Sequence, residues 1–425
     1  MLRQTDAQDH VDSLISAAMA AVDPFQAVID AVSIGSDSLS AQGHEVKFGT
    51  GQVIVISIGK AAIPMANGLL QGLGGRPSSG VVVTKKGQLG ELDAEGFETF
   101  YAGHPITDQT SLDGAQRILE VLDGAREEDT VVFLISGGAS ALVSKPIMNL
   151  VDWQNLSRTL LGSGCSIFEF NTVRKQLDEV KGGGLANAAS PAKFLTLILS
   201  DVVGDLLDIV ASGPTVPSLH SPKDAADILV KYEIETPAEL TELIAAGYLP
   251  SSFDSPVVSV GNLEIAAEAC LAQASELGFQ AEIRKPWLEG DARLVGESVA
   301  DLASGLAPGS CLILGGETTV SLAGSGTGGR NQELGLAAAL AIEGHELVTV
   351  ATFATDGEDG PTDAAGVVVT GTTISQGAQI GLVASEYLED NDSYSFFSQL
   401  DRHLIKTGPT GTNVNDLLFI LKYES

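Results

Sequence analysis

The sequence has few cysteines and little basic charge. Its three cysteines, Cys165, Cys270 and Cys311, show no C-x-x-C spacing, so neither a disulfide framework nor a zinc site is expected, and we predict a reduced, cytoplasmic environment. Lys and Arg total 23 against 55 Asp and Glu, which gives a formal net charge of -32. Such a surface repels nucleic acid and anionic lipid, so neither is an expected partner.

Long apolar runs are also missing. No window approaches the roughly 18 to 20 apolar residues of a membrane span. The apolar N-terminal segment follows an acidic start and is broken by Asp23-Pro24, a pattern that favours an amphipathic helix over a signal peptide. With 425 residues, the chain exceeds the size of one typical core, which predicts two globular domains.

Short runs rich in Val and Ile recur, each ended by Gly or Ser and followed by an Ala-rich pattern, as in α/β folds of buried parallel strands and crossover helices. The first series comprises QVIVISIGK, GVVVTKKG, TVVFLISGGAS and FLTLILSDVVGD, and the second PVVSVGN, CLILGGETTVSLAG, LVTVATFATDG, AGVVVTG and DLLFILKYE. A stretch rich in Pro, Ser and Asp near residues 237–256 separates the two series. It predicts an N-terminal domain of residues 1–245 and a C-terminal domain of residues 250–425.

The residues that follow these runs are the candidates for chemistry, because ligands of open α/β sheets bind beyond the carboxyl ends of the strands. Glycines, hydroxyls, one lysine and several acids recur there: Gly59-Lys60, Ser136-Gly137-Gly138-Ala139-Ser140, Ser200-Asp201, Gly315-Gly316-Glu317 and Thr355-Asp356-Gly357. Backbone N–H groups and a cation suit phosphate oxygens, and carboxylates suit a divalent metal. The pattern therefore predicts a site for a phosphate and a metal ion.

Each of these residues also has a plain structural interpretation. Lys60 precedes a helical pattern and can reach over its N-terminus, but a solvated loop lysine is the alternative, and the segment is not a P-loop. Asp201 and Asp205 are spaced to share a metal if the segment is helical, although solvated acids or a helix cap are common at that spacing. Asp356 begins an acidic turn that lacks the EF-hand order. His104, next to a proline, is expected to be structural.

The stretch GSGTGGRNQE can be interpreted in two ways. Its glycines at 324, 326 and 329 satisfy G-x-G-x-x-G, which on its own is a weak signal for a dinucleotide loop. NAD binding does not call for an arginine after the last glycine, whereas Arg330 and Asn331 suit phosphate oxygens. We therefore interpret Gly328-Gly329-Arg330-Asn331 as an anion clamp and keep the dinucleotide loop as the alternative.

At this point the motifs together resemble a known family. In order along the chain they are SIGKAA, GHPITD, ISGGASAL, VRKQLDEVKGGGLA, LSDVVGDLLDIVASGPT, GGETTVSLAGSGTGGRNQEL, ATDGEDGPTDAAG and KTGPTGTNVNDL. They are similar to the type 2 glycerate kinases, whose C-terminal half is called the MOFRL domain. The match runs from about residue 10 to residue 422.

The resemblance implies a Rossmann-like three-layer domain with a parallel sheet, a second, mixed-sheet MOFRL domain, and an active site in the cleft between them. It implies ATP-dependent phosphorylation of D-glycerate to 2-phosphoglycerate with Mg2+ or another divalent cation. Assembly as a homodimer is left open. The resemblance assigns the main catalytic roles to Lys60 and Arg330, and the residues themselves add Asp201 as a third catalytic candidate. Substrate or phosphate would contact Ser136, Gly137, Gly138, Ser140, Lys181, Glu317, Gly328, Gly329, Asn331, Thr410 and Asn413, and the metal would contact Asp205 and Asp356.

Four positions depart from the family pattern. Gln176 stands where histidine is expected, Ser218 where aspartate is usual, Thr327 where lysine is common, and Glu358 where an apolar residue is frequent. Each change alters the local charge, so affinity for the substrate or preference among acids is expected to differ from the family norm.

Three hypotheses follow for the function. The preferred one is a glycerate 2-kinase in which Lys60 and Arg330 hold phosphates, the ISGGAS turn seats glycerate or phosphate, and Asp201 or Asp356 accepts the hydroxyl proton or binds the metal. The second is an NAD(P)-dependent hydroxypyruvate reductase that uses GSGTGG as its dinucleotide loop, with His104 as the acid. The third is a catalytically silent binder of sugar acids or nucleotides, which the presence of both Lys60 and Arg330 disfavours.

Overall fold

The structure is a computed structural model that describes residues 2–76, 78–88, 90–92, 94–204, 206–236, 240–242, 244 and 253–424. The chain forms two compact units. We call Pro24–Val260 the middle unit, and Met1–Asp23 with Gly261–Ser425 the terminal unit. These units differ from the domains of 1–245 and 250–425 that the sequence predicts, and much of the predicted linker lies outside the described residues.

The N-terminal helix explains part of this difference. Helix α1 (Ala7–Ala21) follows the 3-10 turn Gln4–Asp6 and packs on residues from the far end of the chain. His10 Nδ1 lies 3.2 Å from Tyr423 Oη, and the Cys270 thiol donates to the Leu14 carbonyl. Within the described part of the chain, no single helix is long and apolar enough to cross a membrane, although Gln4–Ala21 and Pro24–Ala31 pass that test when taken together.

The middle unit contains two sheets and the helices between their strands. The small antiparallel sheet consists of β1 (Val32–Ile34), β2 (Ser38–Ala41) and β3 (His44–Lys47). The large sheet consists of β4 (Val53–Ile58), β5 (Ser78–Lys85), β6 (Phe97–Ala102), β7 (Thr130–Ser136), β8 (Lys193–Leu199) and β9 (Val257–Gly261). The helices are α2 (Pro24–Ala31), α3 (Ala62–Leu73), α4 (Gln109–Asp123), α5 (Ala139–Leu142), α6 (Leu150–Gly162), α7 (Ile167–Lys175), α8 (Gly184–Ala188) and α9 (Pro222–Lys231).

The large sheet has the strand order β6-β5-β4-β7-β8-β9, which is the 3-2-1-4-5-6 order of a Rossmann fold. Its strands β4 and β7 pair in parallel and are buried along their whole length, as continuous Val- and Ile-rich runs require. The predicted Rossmann-like domain is therefore confirmed. The assignment of PVVSVGN to the second series is wrong, because this run forms β9 at the edge of the large sheet and its few apolar residues do not specify a sheet.

The terminal unit is built around a mixed sheet. Its strands are β10 (Gln280–Ile283), β11 (Leu288–Asp291), β12 (Ser310–Thr319), β13 (Val348–Ala354), β14 (Gly366–Thr370), β15 (Leu404–Ile405) and β16 (Asp416–Lys422). Besides α1, its helices are α10 (Leu263–Glu276), α11 (Ala292–Gly305), α12 (Arg330–Ala341), α13 (Thr373–Gln379), α14 (Ala384–Glu389) and α15 (Ser393–Phe397).

Strand β16 holds the centre of this sheet. It runs antiparallel to both β12 and β13, whereas β10 and β11 pair with β12 in parallel. The predicted mixed sheet is therefore confirmed. Because of these directions, Asp416 at the start of β16 lies opposite Gly316 near the end of β12 and Ala354 at the end of β13. The end of β12, the end of β13 and the start of β16 therefore lie side by side at the same end of the sheet.

Candidate functional site

The middle unit gathers its predicted residues at the point where the strand order reverses, between β4 and β7. The Lys60 N–H donates to the Gly137 carbonyl at 2.9 Å, and the Ala61 N–H donates to Ser136 Oγ at 3.0 Å. These bonds join the turn after β4 to the turn after β7. In a doubly wound sheet the crevice at such a reversal is where ligands bind.

Asp201 and His104 border the same turn. A methyl group at Gly137 would lie 2.2 Å from Asp201 Oδ2, so the carboxylate approaches the backbone too closely for any side chain there. Gly138 has a φ of +82°, and a methyl group on it would lie 3.2 Å from the His104 ring and 3.3 Å from Lys60 Cγ. The structure therefore brings Lys60 and Asp201 together at the turn of residues 136–140, which we call the glycine turn. It also places His104 there, for which a structural role was expected.

His104 is an uncharged imidazole in this setting. Burial, with added repulsion from Lys60 and Lys85, lowers the pKa of His104 to about 4. Near neutral pH the ring therefore offers one donor and one acceptor nitrogen. A neutral ring beside Lys60 leaves the positive charge of this site on the lysine.

Buried polar side chains hold the glycine turn and the helix that follows it in place through hydrogen bonds. Ser140 Oγ lies 2.9 Å from Ser212 Oγ, which donates in turn to Asn171 Oδ1. Arg174 donates to the Ser140 carbonyl at 2.7 Å. The Lys181 ammonium, 1% exposed, donates to the Val143 carbonyl at 2.6 Å, and burial lowers its pKa to about 7. Lys181 thus holds the short helix α5 in place, and its predicted contact with substrate stays a prediction.

The predicted metal ligands are only partly described. The described residues from Ser200 to Ile209 form turns with no α-helix, so the helical spacing proposed for Asp201 and Asp205 does not occur there. Asp205 itself lies outside the described residues. Across the described ranges, no group of three or more His, Cys, Asp or Glu side chains is placed to hold a metal ion.

In the terminal unit, Arg330 begins α12 and is held by acids. Its Nε donates to Asp416 Oδ2 at 2.5 Å and its Nη2 to Asp416 Oδ1 at 2.9 Å, which is a bidentate pair. Glu317 Oε1 lies 3.2 Å from Nη1. Burial lowers the pKa of Arg330, but the bonds to Asp416 and the charge of Glu317 outweigh it, so the pKa is raised overall. The guanidinium is charged at every relevant pH.

Asp416 is the buried member of this cluster. Burial raises its pKa to about 6 despite the opposing effect of Arg330, and the charge of nearby Asp359 adds to the rise. Its side chain is 10% exposed, against 51% for Glu317. Arg330 therefore has one buried and one exposed carboxylate partner.

The N-terminus of α12 is occupied by a carboxylate of the chain itself. Asp359, which is 1% exposed, accepts hydrogen bonds from the N–H groups of Asn331 at 3.0 Å and Gln332 at 2.9 Å. Burial raises the pKa of Asp359 against the lowering effect of these bonds. Phosphate contacts by Gly328, Gly329 and Asn331 stay predictions, and the Asn331 N–H, which the anion clamp would use, already has an internal acceptor.

Several N–H groups of the loop GSGTGG likewise already have acceptors within the chain. The Gly324 N–H donates to Asn391 Oδ1, the Ser325 N–H to Asp390 Oδ1 and the Thr327 N–H to Asp392 Oδ1, at 2.8 to 2.9 Å. In a dinucleotide loop such donors would face the pyrophosphate. Here they face the segment that joins α14 to α15.

The remaining predicted residues lie around the end of β13. The Thr410 hydroxyl donates to the Thr355 carbonyl at 2.6 Å, and the Thr410 N–H donates to the Asp356 carbonyl. Asn413 Oδ1 accepts from the Asn415 N–H, and Asn415 Nδ2 lies 3.4 Å from Glu317 Oε2. These bonds link Asp356, Thr410 and Glu317 to the end of the sheet where Asp416 lies.

Two of the departures from the family pattern share one partner. Gln176 Nε2 and Ser218 Oγ both donate to the His220 carbonyl, at 3.2 and 3.3 Å. These two positions therefore meet at one local contact of the middle unit.

Sequence reasoning missed Asp416 and the capping role of Asp359, and it named His104 only as a structural residue or as the acid of the reductase alternative. His104 lies in the motif GHPITD, and Asp416 lies in the motif KTGPTGTNVNDL and directly precedes an apolar run. An acid at the start of a strand was the available signal, but it points to a site only when the strand is known to be antiparallel to its neighbours.

Comparisons with known proteins cover most of the chain. The model of a domain of unknown function (DUF4147) matches residues 10–245, and that of the MOFRL family matches residues 310–416. A D-glycerate 2-kinase from Thermotoga maritima is 42% identical over 381 residues, which are 88% of this chain and 91% of that protein. A putative hydroxypyruvate reductase from Agrobacterium vitis is 38% identical over 385 residues, 87% of each chain. The crystal structure of a glycerate kinase from Thermotoga maritima matches with a TM-score of 0.89 and 38% identity, covering 98% of this chain and 100% of that one.

Proposed function

The chain belongs to the glycerate 2-kinase family that carries a MOFRL domain, and from this membership we propose that it transfers a phosphoryl group from ATP to D-glycerate, forming 2-phosphoglycerate. The observation that carries the proposal is the cluster at the reversal between β4 and β7, where Lys60, the glycine turn, His104 and Asp201 meet. A cation, small residues and a carboxylate at that point suit a phosphorylated ligand.

Lys60 supplies positive charge in the middle unit. Phosphoryl transfer needs little covalent chemistry from the protein, so most of the rate gain comes from positioning and from neutralising charge on the transferring group. The Lys60 backbone is tied to Gly137, which fixes the base of its side chain. We assign its ammonium to the oxygens of the transferring phosphoryl group.

Arg330 supplies a second cation with a defined orientation. Asp416 holds two of its N–H groups, and a guanidinium carries five. The Nη1 end, near the exposed Glu317, is the end we assign to phosphate oxygens.

The acceptor hydroxyl must lose a proton during the transfer. Asp201 is our candidate acceptor, because its carboxylate lies against the glycine turn and a carboxylate can accept a proton from a positioned hydroxyl. Asp356 in the terminal unit is the alternative. His104, uncharged near neutral pH, is suited to hydrogen bonding with a substrate oxygen.

A divalent cation fits the side chains present. Mg2+ in phosphoryl-transfer sites is commonly bound by one or two carboxylates together with substrate phosphates and water, so a group of three protein ligands is not required. Asp201 and Asp356 each offer one carboxylate after a strand. When bound, the cation would offset negative charge on the phosphates of ATP.

The reductase alternative is favoured by the name of the relatives from Agrobacterium vitis, putative hydroxypyruvate reductase. Its predicted dinucleotide loop, however, directs its N–H groups at Asn391, Asp390 and Asp392. An NAD(P) pyrophosphate would have to displace these side chains, so the geometry favours the kinase. A cytoplasmic location and a homodimer stay predictions.

The test is a pair of assays on the purified protein. The first follows ADP formation with D-glycerate, ATP and Mg2+, with and without EDTA, and with Lys60→Ala, and phosphorus NMR identifies the phosphorylated position. The second follows loss of NADH with hydroxypyruvate.

We expect metal-dependent formation of ADP and 2-phosphoglycerate that falls by about 100-fold or more in Lys60→Ala. Lys231→Ala is the matched control, because this lysine of the same unit is 59% exposed and pairs with Glu169 on the surface. Loss of NADH without formation of ADP would refute the kinase and restore the dinucleotide interpretation of GSGTGG.

A further inference from the structure

The orientation of Arg330 is set by one carboxylate. Asp416 accepts from Nε and from Nη2, at 2.5 and 2.9 Å, so both of its oxygens bind one edge of the guanidinium. A bidentate pair fixes the plane of the guanidinium as well as its position. The opposite end, Nη1, is thereby aimed in one direction.

Asp416 is itself held rigidly. It is the first residue of the central strand β16 and pairs with Gly316 of β12 on one side and Ala354 of β13 on the other. The residue is 8% exposed. The backbone that bears this carboxylate is held between two ladders, so the carboxylate gives Arg330 a partner at a fixed place in the sheet.

The second acid beside Arg330 is of a different kind. Glu317 contacts Nη1 at 3.2 Å, and half of its side chain, 51%, is exposed. An incoming anion can displace an exposed carboxylate at low cost, whereas removing a buried one leaves an unpaired charge in the interior. The arriving phosphate would therefore replace Glu317 at Nη1 and leave the pair with Asp416 intact.

We infer that Asp416 is a positioning residue for phosphoryl transfer, which keeps the Nη1 end of Arg330 directed at the phosphate while Glu317 gives way. The inference rests on the kinase function proposed above. A carboxylate beside a phosphate-binding arginine weakens its electrostatic attraction for phosphate, so the benefit must come from geometry. Small errors of position are costly in such a site.

Asp416→Asn in the full-length chain tests the inference. Asparagine keeps the size and one acceptor oxygen, but its amide N–H group would face an arginine N–H, so the bidentate pair is lost. We expect kcat for glycerate-dependent ADP formation to fall by about 10- to 100-fold, with KM for ATP and glycerate changing less than about threefold. Combined with Arg330→Lys, the variant should lose little beyond the worse single variant, because both changes remove one interaction.

Glu333→Gln is the matched control. Glu333 is also buried, 3% exposed, lies on the same helix α12, and pairs with Arg293 Nη2 at 3.1 Å. It should lower the melting temperature to a similar extent as Asp416→Asn while kcat stays within about twofold of the wild type.

The outcomes separate the two proposals. An unimpaired kcat in folded Asp416→Asn would overturn the positioning role alone, as would an equal loss of kcat in Glu333→Gln or losses that add in the double variant. A wild-type protein that forms no ADP from glycerate would refute the proposed function and, with it, this inference.

Discussion

Lys60 in the middle unit and Arg330 in the terminal unit carry the same charge but are held in different ways. The turn that bears Lys60 is fixed through backbone groups and a serine hydroxyl, whereas the Arg330 side chain itself is fixed by Asp416. The described contacts of the first cation fix its backbone, and those of the second fix its guanidinium in one orientation. A guanidinium held on one edge is a directional charge, whereas an ammonium is a compact point charge.

The two cations also differ in the charged groups that surround them. A neutral imidazole and one carboxylate, that of Asp201, border the turn of Lys60, whereas three acids, Glu317, Asp359 and Asp416, surround Arg330. In the terminal unit, carboxylates of the chain occupy donors that the sequence suggested for a substrate phosphate. We expect mutations there to affect stability and activity together, and mutations around Lys60 to affect mainly activity.

The largest expected effect comes from removing either cation. Lys60→Met and Arg330→Met should each lower kcat/KM for glycerate-dependent ADP formation by about 100-fold or more. Stability should separate them. Arg330→Met leaves Asp416 buried without its cation and should lower the free energy of unfolding by about 3 to 5 kcal/mol. Lys60→Met should lower it by less than Arg330→Met does, since backbone groups hold the turn of Lys60.

Steady-state kinetics and urea unfolding measure the two quantities on the same preparations. Equal losses of stability would break the comparison, because Lys60 would then be as structural as Arg330. Lys231→Met, at an exposed position of the middle unit, should change neither quantity appreciably.

The next effect concerns the helix cap. Asp359→Ala leaves two buried N–H groups of α12, those of Asn331 and Gln332, without an acceptor, so the free energy of unfolding should fall by about 2 to 4 kcal/mol. Asp291→Ala is the control. It removes a cap from α11 that accepts from Arg293 and Leu294 at a less buried position, and it should lose about 1 kcal/mol.

Sulfate sharpens this test. An uncapped helix N-terminus attracts anions, so sulfate should restore part of the stability of Asp359→Ala but little of that of Asp291→Ala, once the general effect of the salt on the wild type is subtracted. An Asp359→Ala variant as stable as the wild type would mean that the carboxylate does not serve as the cap.

The capping of α12 also shows how far the sequence could predict this site. The runs that form β4 and β7 are continuous and apolar, so their burial, their parallel pairing and the meeting of Lys60 with Ser136 and Gly137 could be predicted. The anion at α12 could not. The sequence shows the donors Asn331 and Gln332, but their acceptor Asp359 lies 28 and 27 residues further along the chain and reaches them only through the fold.

Strand direction limited the prediction in the same way. The run DLLFILK is apolar whichever way it runs, and Asp416 reaches the site edge only because β16 is antiparallel to β12 and β13. The short run PVVSVGN likewise does not specify which sheet it joins. Residues at the ends of parallel strands were therefore easier to predict than residues at the start of an antiparallel one.

A smaller effect is expected from pH at the neutral imidazole. The pKa of His104 is lowered from 6.5 to about 4, so between these values the unfolded chain binds a proton that the folded chain does not. Stability is then fully present above pH 6.5 and falls as the pH is lowered towards 4. His104→Asn should reduce the loss of stability between pH 7 and pH 5 by about 1 kcal/mol.

Urea unfolding at several pH values gives this difference. His403 in the terminal unit, whose pKa burial also lowers, contributes with the same sign in both proteins and cancels in the comparison. Identical slopes for His104→Asn and the wild type would show that His104 titrates normally, and the picture of a neutral ring beside Lys60 would fail.

The smallest expected effect is on the free energy of unfolding and concerns Ala211, next to a serine that supports the glycine turn. Ala211 has a φ of 56° and a ψ of 17°, the left-handed region that costs alanine roughly 1 to 2 kcal/mol, and it precedes Ser212, which supports Ser140. Ala211→Gly relieves that cost but loses a buried methyl group and gains entropy in the unfolded chain, so we expect a net stabilisation below about 1 kcal/mol. Ala115→Gly, inside α4 and fully buried, relieves nothing and should destabilise by about 1 kcal/mol or more. The informative quantity is the difference between the two variants in urea unfolding. If both destabilise equally, the turn beneath Ser140 stores no strain, and the middle unit holds its site by hydrogen bonds alone.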